Sequence, residues 1–512
     1  MKKLPLYITI VSLIALVSCN DLSQNVHSTI TEDNFFQSER QVLSAAGPAY
    51  SDLRTYTQVA GIWGVNEFTS DELVLPTRGR HWYNDGMYQR YQRHQWHSEE
   101  GNTNIAWNDI FSGINTCNRL LAQFEQLEEK SEAVEIILSE LRGLRAFWYF
   151  TALDMFGNVP LVTSFEDAEA APSNSTQEEV FNFVEQELLA AIPNLRTEMS
   201  TSTYGRFHRW AAYATLAKLY MNAEVYTGTS RWQDAVNAID EIINSGQFSL
   251  ASDYFSNFAV ENQGSEENIF VIPYDNTYTT EWGAMLQFHF WGIHFNGHNA
   301  FNMQNGGWDG YAGVPSFVNS FDEADVRKDM WLTGVQTTPS GDTLYNNQEL
   351  PSDSALVYTV NISSLENAHE NEGARLMKYD YTDAQGWTLS NDFAVFRYGD
   401  MLQLKAEALM RLNGGNATQE AVDLVNQVRA RAFDNPSQHE YTTGSLTMEE
   451  MLAERGREIA GEGWRRHDQL RFSDFTNGTW EWKSESPDYR KIFPIPQQQL
   501  NANPNLSQNP GY

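Results

Sequence analysis

Apolar residues recur at helical spacing along most of residues 102–226. Residues three or four positions apart share one face of an α-helix, so this periodicity predicts long amphipathic helices rather than a sheet. We therefore expect a mainly α fold. One apolar stripe comprises Leu120, Leu121, Phe124 and Leu127, and a second comprises Val134, Ile137, Leu138, Leu141, Leu144, Phe147, Trp148 and Leu153.

Signals that start and stop helices divide this region into separate elements. Gly157 and Pro160 should end the helix that carries the second stripe, because glycine caps a helix and proline breaks it. Residues 176–179 (TQEE) have the pattern of a capping box and predict the start of the next helix. The alanine-rich residues 206–226 and residues 231–245 are expected to pack closely as a pair.

The C-terminal part has the same character. Residues 401–412 and 418–433 predict a helical hairpin across an Asn-Gly-Gly-Asn turn, and Thr447 should cap a third helix that ends near Gly461. Paired helices with small residues at their contacts predict a scaffold like that of tetratricopeptide repeats, although the full repeat consensus is absent.

Between these helical parts, residues 246–391 are rich in turn formers and aromatic residues, with loops expected at 262–266, 302–313 and 337–353. We therefore predict an irregular, loop-rich insertion mounted on the helical scaffold, where binding residues are commonly found. The resulting division is an N-terminal helical region (32–245) with an aromatic loop (63–107), the insertion (246–391) and a C-terminal helical region (392–512).

The N-terminal residues predict an export signal. Two lysines precede an apolar run, residues 4–17, which is too short and interrupted to span a membrane but has the length of a signal-peptide core. The run leads to Ser18 and Cys19, a pattern that resembles the lipobox of bacterial lipoproteins. We predict removal of residues 1–18, lipidation of Cys19 and a tether over residues 19–31. The alternative is an ordinary secretory signal in which Cys19 is incidental.

Charge and cysteine content exclude several classes of function. The chain carries 34 basic and 67 acidic residues, a formal net charge of −33 at pH 7, which would repel a nucleic-acid backbone. Its two cysteines cannot form a disulfide scaffold or a four-cysteine zinc site. With Cys19 lipidated, Cys117 is expected to be a small buried apolar residue.

Tryptophans concentrate in two stretches, residues 63–107 and residues 282–331, which hold four each of the 15 in the chain. An indole face is a large flat surface on which the C–H groups of a sugar ring can stack. Planar polar side chains at its edge can then bind the hydroxyl groups. The clustering therefore predicts carbohydrate binding.

The first candidate binding loop is residues 76–86, in which Gly79 and Gly86 permit tight bends. Trp82 and Tyr83 are expected to provide an aromatic platform, and the alternative is that Trp82 pins the loop to the core. The side chains expected to bind sugar hydroxyls are those of Arg78, Asn84 and Asp85.

The second candidate site lies in the insertion. Trp291 and Trp308 are flanked by glycine, which favours either an indole exposed on a loop or a buried indole that anchors the loop to the core. Trp282 is a further candidate. The remaining tryptophans singled out are expected to be packing residues, namely Trp96, Trp107, Trp148, Trp210, Trp331 and Trp464.

The sequence does not favour catalysis. Asp71, Glu72 and Asp85 lie near Trp82, and a glycosidase needs two carboxylates that flank a sugar, but such proximity is expected by chance among 67 acidic residues. No cofactor and no metal site are predicted: the histidines at 94, 97, 289, 294 and 298 lack the partners typical of zinc sites. Calcium bound by an acidic loop stays open, although no loop has EF-hand spacing.

Short motifs along the whole chain match one known family. They are residues 30–36 (ITEDNFF), 144–149 (LRAFWY), 156–161 (FGNVPL), 397–401 (RYGDM), 405–409 (KAEAL), 428–431 (VRAR), 454–458 (ERGRE), 462–465 (EGWR), 493–496 (FPIP) and 503–512 (NPNLSQNPGY). Together with the lipobox, and in this order, they resemble the SusD/RagB family of outer-membrane lipoproteins of Bacteroidota.

The resemblance implies a tetratricopeptide-like α frame, a place on the outer face of the outer membrane and a SusC-like TonB-dependent transporter as partner. Most members capture glycans and catalyse nothing, and a minority handle peptides or other nutrients, which is the alternative function. Within the matched motif, Glu454, Arg455, Arg457 and Glu458 are expected to form a structural ion-pair network. The glycan stays open; a β-glucan such as laminarin is the candidate, because the acidic surface disfavours polyanionic glycans.

Overall fold

The computed structural model describes residues 38–165 and 171–512, apart from positions 284, 383 and 385. The predicted signal peptide (1–18), the predicted lipidation site Cys19, the tether (19–31) and the motif at residues 30–36 lie outside the described residues.

Helices account for most of the regular structure, as the periodicity predicts. The α-helices are α1 (Glu39–Asp52), α2 (Ile62–Phe68), α3 (Met87–Gln92), α4 (Gly101–Glu125), α5 (Glu132–Phe156), α6 (Gln177–Ala191), α7 (Arg209–Met221), α8 (Ala223–Thr227), α9 (Trp232–Asn244), α10 (Phe288–Gly292), α11 (Pro315–Val318), α12 (Tyr398–Leu412), α13 (Gln419–Arg429), α14 (Met448–Ile459), α15 (Arg465–Arg471), α16 (Asp474–Asn477) and α17 (Gln497–Ala502).

The longer helices form one continuous packed series. α4 packs on α5, α5 on α6, α6 on α7, α7 on α9 and α9 on α12, which in turn packs on both α13 and α14. Each helix thus buries its apolar face against its neighbours in the series, which is the stacking of a tetratricopeptide-like scaffold. The predicted mainly α fold class is confirmed.

Helix α5 lies at the centre of the core, and the residues of its C-terminal half are buried on every side. Two glycines allow the helices to approach it closely. A Cβ atom at Gly113 on α4 would lie 2.3 Å from the Trp148 ring, and one at Gly143 would lie 2.2 Å from the Phe207 ring. Any larger side chain at either position would force the helices apart.

The predicted helix boundaries are mostly confirmed. Gly157 follows the last residue of α5 with a φ of +68°, and Thr176 forms a capping box with Glu179 at the start of α6. The hydroxyl of Thr447 accepts the N–H of Glu450 at the start of α14. One boundary differs, because α13 ends at Arg429 and the chain continues as a 3₁₀ turn instead of an α-helix reaching residue 433.

The strands are short and occur as antiparallel pairs: β1 (Leu73–Val74) with β3 (Ala312–Gly313), β2 (Asn268–Ile272) with β8 (Phe393–Arg397), β4 (Trp331–Leu332) with β7 (Arg375–Leu376), and β5 (Gly334–Val335) with β6 (Val357–Tyr358). Within the described part of residues 246–391, no helix exceeds five residues. The β2–β8 pair joins this loop-rich stretch to the first residues of the C-terminal helical part.

The predicted ion-pair network is confirmed, and it is fully buried. Arg327 contacts Glu454 at 2.9 Å and Glu458 at 3.1 Å, while Arg397 contacts Glu458 at 3.1 Å and Glu267 at 2.6 Å. Nearby, Arg455 pairs with Asp400 and Asp468, and Arg457 pairs with Glu454. Because each charge has several partners, the network offsets part of the cost of removing these groups from water and fixes α12 and α14 against the loop-rich part.

In the parts of the chain that the structure describes, no helix combines the length and the apolar character needed to cross a membrane.

Candidate functional site

The β1–β3 pair brings together the two loops that sequence analysis singled out. Leu73 and Val74 in β1 lead into the loop of residues 75–86, and Ala312 and Gly313 in β3 end the loop that carries Trp308. The backbone N–H of Val314 also donates to the carbonyl of Glu72. Two segments more than 200 residues apart in sequence thus lie side by side.

The indole rings of Trp82, Trp308 and Trp282 form a continuous aromatic surface, which we call the ledge. Trp82 and Trp308 are half-buried with ring centroids 6.4 Å apart and an interplanar angle of 43°. Trp282 lies 5.8 Å from Trp308 at 34° and is 70% exposed. The rings are therefore tilted relative to one another, and the ledge is not flat.

Three more aromatic side chains support or extend the ledge. Trp291, on α10, is only 8% exposed and lies beneath Trp82 at a centroid distance of 4.8 Å. Its neighbour Phe290 is buried between Trp308 and Trp387, and it stacks on Trp387 at 4.7 Å. Trp387 is 47% exposed and was not among the predicted site residues. It follows Gly386, just as Trp308 follows a glycine, and this shared pattern is the signal that could have identified it.

Trp82 is held in a strained backbone conformation. Its φ is +63°, a region that a bulky side chain rarely adopts and that costs about 1–3 kcal/mol. Its indole N–H donates to the carbonyl oxygen of Trp308 at 2.8 Å, and its ring lies against Gly310, where a Cβ would be 3.2 Å away. The surrounding contacts thus fix the direction of this ring before any ligand arrives.

The polar residues after Trp82 project into solvent. Tyr83 is 56% exposed, and Asn84 and Asp85 are exposed as well. Asn84 and Asp85 have φ values of +42° and +53°, which these two residue types tolerate better than most. The guanidinium of Arg90 donates to the Asp85 carbonyl at 2.5 Å and fixes the turn. The side chains of Asn84 and Asp85 are therefore exposed in the segment that directly follows Trp82.

Arg78 is placed differently from the sequence-based expectation. It is 2% exposed, and its guanidinium donates to the carbonyl oxygens of Gly310 at 3.3 Å and His369 at 2.5 Å. It therefore lies behind the ledge instead of beside a ligand. A sugar bound on the exposed rings would not reach it, and we leave it out of the proposed contact residues.

The remaining tryptophans singled out from the sequence are buried, as expected: Trp96, Trp107, Trp148, Trp210, Trp331 and Trp464. The candidate carboxylates Asp71 and Glu72 do not face the ledge. Asp71 pairs with Arg465 at 2.7 Å, and Glu72 is fully buried and accepts the backbone N–H of Gly461 at 2.9 Å.

The histidines considered as metal ligands have other roles. Burial lowers the pKa of His289 to about 3, so this ring stays neutral. His294 is buried against the Glu370 carboxylate at 2.8 Å, and His94 contacts the carbonyl oxygen of Thr69 at 2.8 Å. Within the described ranges, His, Cys, Asp and Glu side chains form no group of three or more that could hold a metal ion.

Two protein-family models match the chain. The one described as the SusD family matches residues 258–512, and the one described as "Starch-binding associating with outer membrane" matches residues 63–221. The first contains Trp282, Trp308 and Trp387, and the second contains Trp82.

Individual proteins are also similar. The starch-binding protein SusD of Bacteroides thetaiotaomicron is 27% identical over 73% of this chain and 72% of its own length. A SusD-like protein of Formosa agariphila is 26% identical over 99% of this chain and 98% of its own length.

Solved structures share the fold. A laminarin-binding SusD-like protein superposes with a TM-score of 0.73 at 22% identity, covering 93% of this chain and 100% of that one. Surface glycan-binding protein A of Bacteroides thetaiotaomicron, in complex with laminarihexaose, gives a TM-score of 0.72 at 19% identity, covering 92% and 99%.

Proposed function

The chain belongs to the SusD family, and we propose that it is a glycan-binding lipoprotein of the cell surface whose ledge captures an oligosaccharide or polysaccharide. The observation that supports this proposal is the aromatic surface formed by the half-buried rings of Trp82 and Trp308 and the exposed ring of Trp282. In our proposal, Cys19 anchors the protein to the outer face of the outer membrane, and the bound glycan passes to a SusC-like TonB-dependent transporter.

The chemistry of the ledge suits a sugar chain. Stacking a pyranose ring on an indole removes apolar surface of both partners from water while leaving the hydroxyls free. Tyr83, Asn84 and Asp85 at its edge offer hydroxyl, amide and carboxylate groups for those hydroxyls. Because the site is open and buries little area, we expect dissociation constants between micromolar and millimolar.

The tilt of the rings favours a bent glycan. Interplanar angles of 43° and 34° show that the rings of the ledge are not coplanar, and we expect this surface to fit the coiled chains of β-1,3- or α-1,4-linked glucans better than the flat ribbon of a β-1,4-linked one. Laminarin is our first candidate, and two structures of similar fold are described as binding laminarin or laminarihexaose. Starch is the second, from the name of the similar SusD protein.

We propose binding without catalysis. A glycosidase needs two carboxylates on either side of the scissile bond, whereas Asp71 is paired with Arg465 and Glu72 is buried against the backbone of Gly461. Prolonged incubation of a bound oligosaccharide with the protein should leave its length unchanged in a chromatographic assay; shortened products would contradict this part of the proposal.

Calorimetric titration of the chain without residues 1–19 against a panel of neutral glucans tests the proposal. Trp282→Ala removes an exposed ring without opening the core, and we expect it to weaken binding about tenfold, from the apolar contact area that one indole face contributes. Phe165→Ala is the matched control, since Phe165 is exposed beside α4 and away from the ledge. No binding to any glycan, together with binding to peptides, would instead favour a peptide-binding member of the family.

Anchoring and partnership need separate tests. In the intact chain, Cys19→Ala should move the protein from the membrane fraction to the soluble fraction of exported protein, and an unchanged membrane fraction would argue against lipidation at Cys19. Co-purification with a TonB-dependent transporter from detergent-solubilised outer membranes would support the proposed partnership, and purification of the anchored protein alone would count against it.

A further inference from the structure

Two guanidinium groups share one carboxylate directly behind the ledge. Arg78 and Arg375 are 2% and 0% exposed. Asp309, the residue after Trp308, contacts Arg375 at 2.7 Å and Arg78 at 4.0 Å. Such a cluster is costly, because buried charges lose their hydration. In the described part of the chain, one nitrogen of Arg78, Nη2, is buried without a hydrogen-bond partner.

The Arg78 side chain ties together three segments that support the ledge. Its Nε donates to Gly310, and its Nη1 donates to His369. Its own backbone exchanges hydrogen bonds with His81, immediately before Trp82. Only the planar fork of an arginine can reach two carbonyl groups in different directions and a carboxylate at once; a lysine carries the same charge at a single point.

These contacts lead directly to the two rings of the ledge. Gly310, held by Arg78, lies against the Trp82 ring, and the carbonyl of Trp308, two residues earlier, accepts the indole N–H of Trp82. Any shift of Gly310 therefore changes the separation and the tilt between Trp82 and Trp308.

We propose that Arg78 is a positioning residue, which sets the geometry of Trp82 relative to Trp308 and thereby the affinity of the ledge, without touching the glycan. The effect on affinity rests on the proposed function, whereas the effect on ring geometry does not. Burial lowers the pKa of this guanidinium to about 9, in keeping with a group placed there for its shape despite the cost of desolvation.

Arg78→Lys tests the proposal, with Arg80→Ala as the control, because Arg80 is exposed in the same loop. We expect Arg78→Lys to raise the dissociation constant for the bound glucan about tenfold, the effect of losing one well-placed hydrogen bond. It should also change the near-ultraviolet circular dichroism that arises from coupled indoles. Arg80→Ala should alter neither by more than about twofold. A purely structural role would lower the melting temperature of Arg78→Lys and leave the affinity and dichroism of the folded protein unchanged, and that result would overturn the proposal.

A double-mutant cycle with Trp82→Ala adds a second criterion. If Arg78 acts through Trp82, Arg78→Lys should have little further effect on affinity once Trp82 is removed, and additive losses would contradict the proposal.

Should Arg78→Lys fail to fold, a crystal structure of the unaltered protein with a bound oligosaccharide still decides the matter. We expect no sugar atom within hydrogen-bonding distance of Arg78, and a direct contact would refute the positioning role. If the unaltered protein binds no glycan, the proposed function fails, and the dichroism alone tests whether Arg78 sets the ring geometry.

Discussion

Glu67 and Glu72 form a buried pair of carboxyl groups whose protonation should affect stability. Glu67 accepts the backbone N–H of Gly463 at 2.7 Å, and Glu72 accepts that of Gly461 at 2.9 Å. Among the described residues, Oε2 of Glu67 and Oε1 of Glu72 are buried without a hydrogen-bond partner, and the two groups influence each other's pKa, so one proton held between them would satisfy both carboxyls. Burial raises the pKa of Glu67 to about 7, and burial together with the charge of Glu67 raises that of Glu72 well above its ordinary range.

The direction of the pH dependence follows from the raised pKa. Because the folded state holds a proton that the unfolded state has already released, stability is greatest below the unfolded pKa of 4.5 and is lost as the pH rises through about 7. At about 1.4 kcal/mol for each pH unit, the loss from Glu67 amounts to about 3 kcal/mol. The neighbouring charges of Lys378 and Glu462 act in opposite directions on Glu67 and leave this sign unchanged.

Glu67→Gln isolates this contribution. The amide oxygen can still accept from Gly463, and the amide N–H₂ can donate to Glu72, so the variant mimics the protonated state at every pH. Burial lowers the pKa values of His208 and His289 to about 4 and about 3. Their contribution to the free energy of unfolding therefore increases with pH, and it does so in both proteins. The difference between variant and unaltered protein therefore removes their effect.

The assay is urea unfolding of both proteins at pH 5, 6, 7 and 8, with a check that unfolding is reversible. The free energy of unfolding of Glu67→Gln, relative to that of the unaltered protein, should rise by about 2.5 kcal/mol between pH 5 and pH 8, because part of the total effect already occurs below pH 5. Glu128→Gln, at an exposed position, should show no such trend. A constant difference between Glu67→Gln and the unaltered protein across this range would refute the shared proton.

Three further predictions concern the ledge, the buried charges and the cysteine. Gly310→Ala would place a Cβ 2.5 Å from the carbonyl oxygen of Trp291 and 3.2 Å from the Trp82 ring, so calorimetry should show weaker glycan binding; unchanged affinity would mean that the ring position does not matter. Arg397→Met leaves Glu267, Glu458 and Glu462 without their shared partner and should cost about 3–5 kcal/mol in urea unfolding, whereas a loss below 1 kcal/mol would show that the network relaxes. Burial raises the pKa of the Cys117 thiol to about 12, so a thiol reagent at pH 8 should modify it only after denaturation, and rapid labelling of the folded chain lacking residues 1–19 would contradict its burial.

The helical scaffold was predictable because its signals are local. The stripes in α4 and α5, the capping box at Thr176 and the glycine after α5 each depend on residues within a few positions of one another. The motif at residues 454–458 likewise indicated a structural ion-pair network, although the partners Arg327 and Glu267 come from distant segments that carry no local signal.

The ledge was predictable only in part, for the same reason. Composition and glycine spacing identified Trp82, Trp282 and Trp308 as candidates. The exposure of a ring depends on which segments pack together, which these local features do not reveal. Trp291 is therefore buried beneath the ledge, and the exposed Trp387 was not predicted. Arg78 shows the limit most clearly. In sequence it lies in a loop with polar residues suited to sugars, while in the fold the β1–β3 pair and residues 368–369 enclose it.

The central claim is that the tilted indoles of the ledge bind a glucan, and a crystal structure of the chain with a laminarin oligosaccharide tests it most directly. We predict sugar rings stacked on Trp82, Trp308 and Trp282, with hydroxyls near Asn84 and Asp85. An oligosaccharide bound elsewhere on the protein, with these rings left bare, would contradict the account.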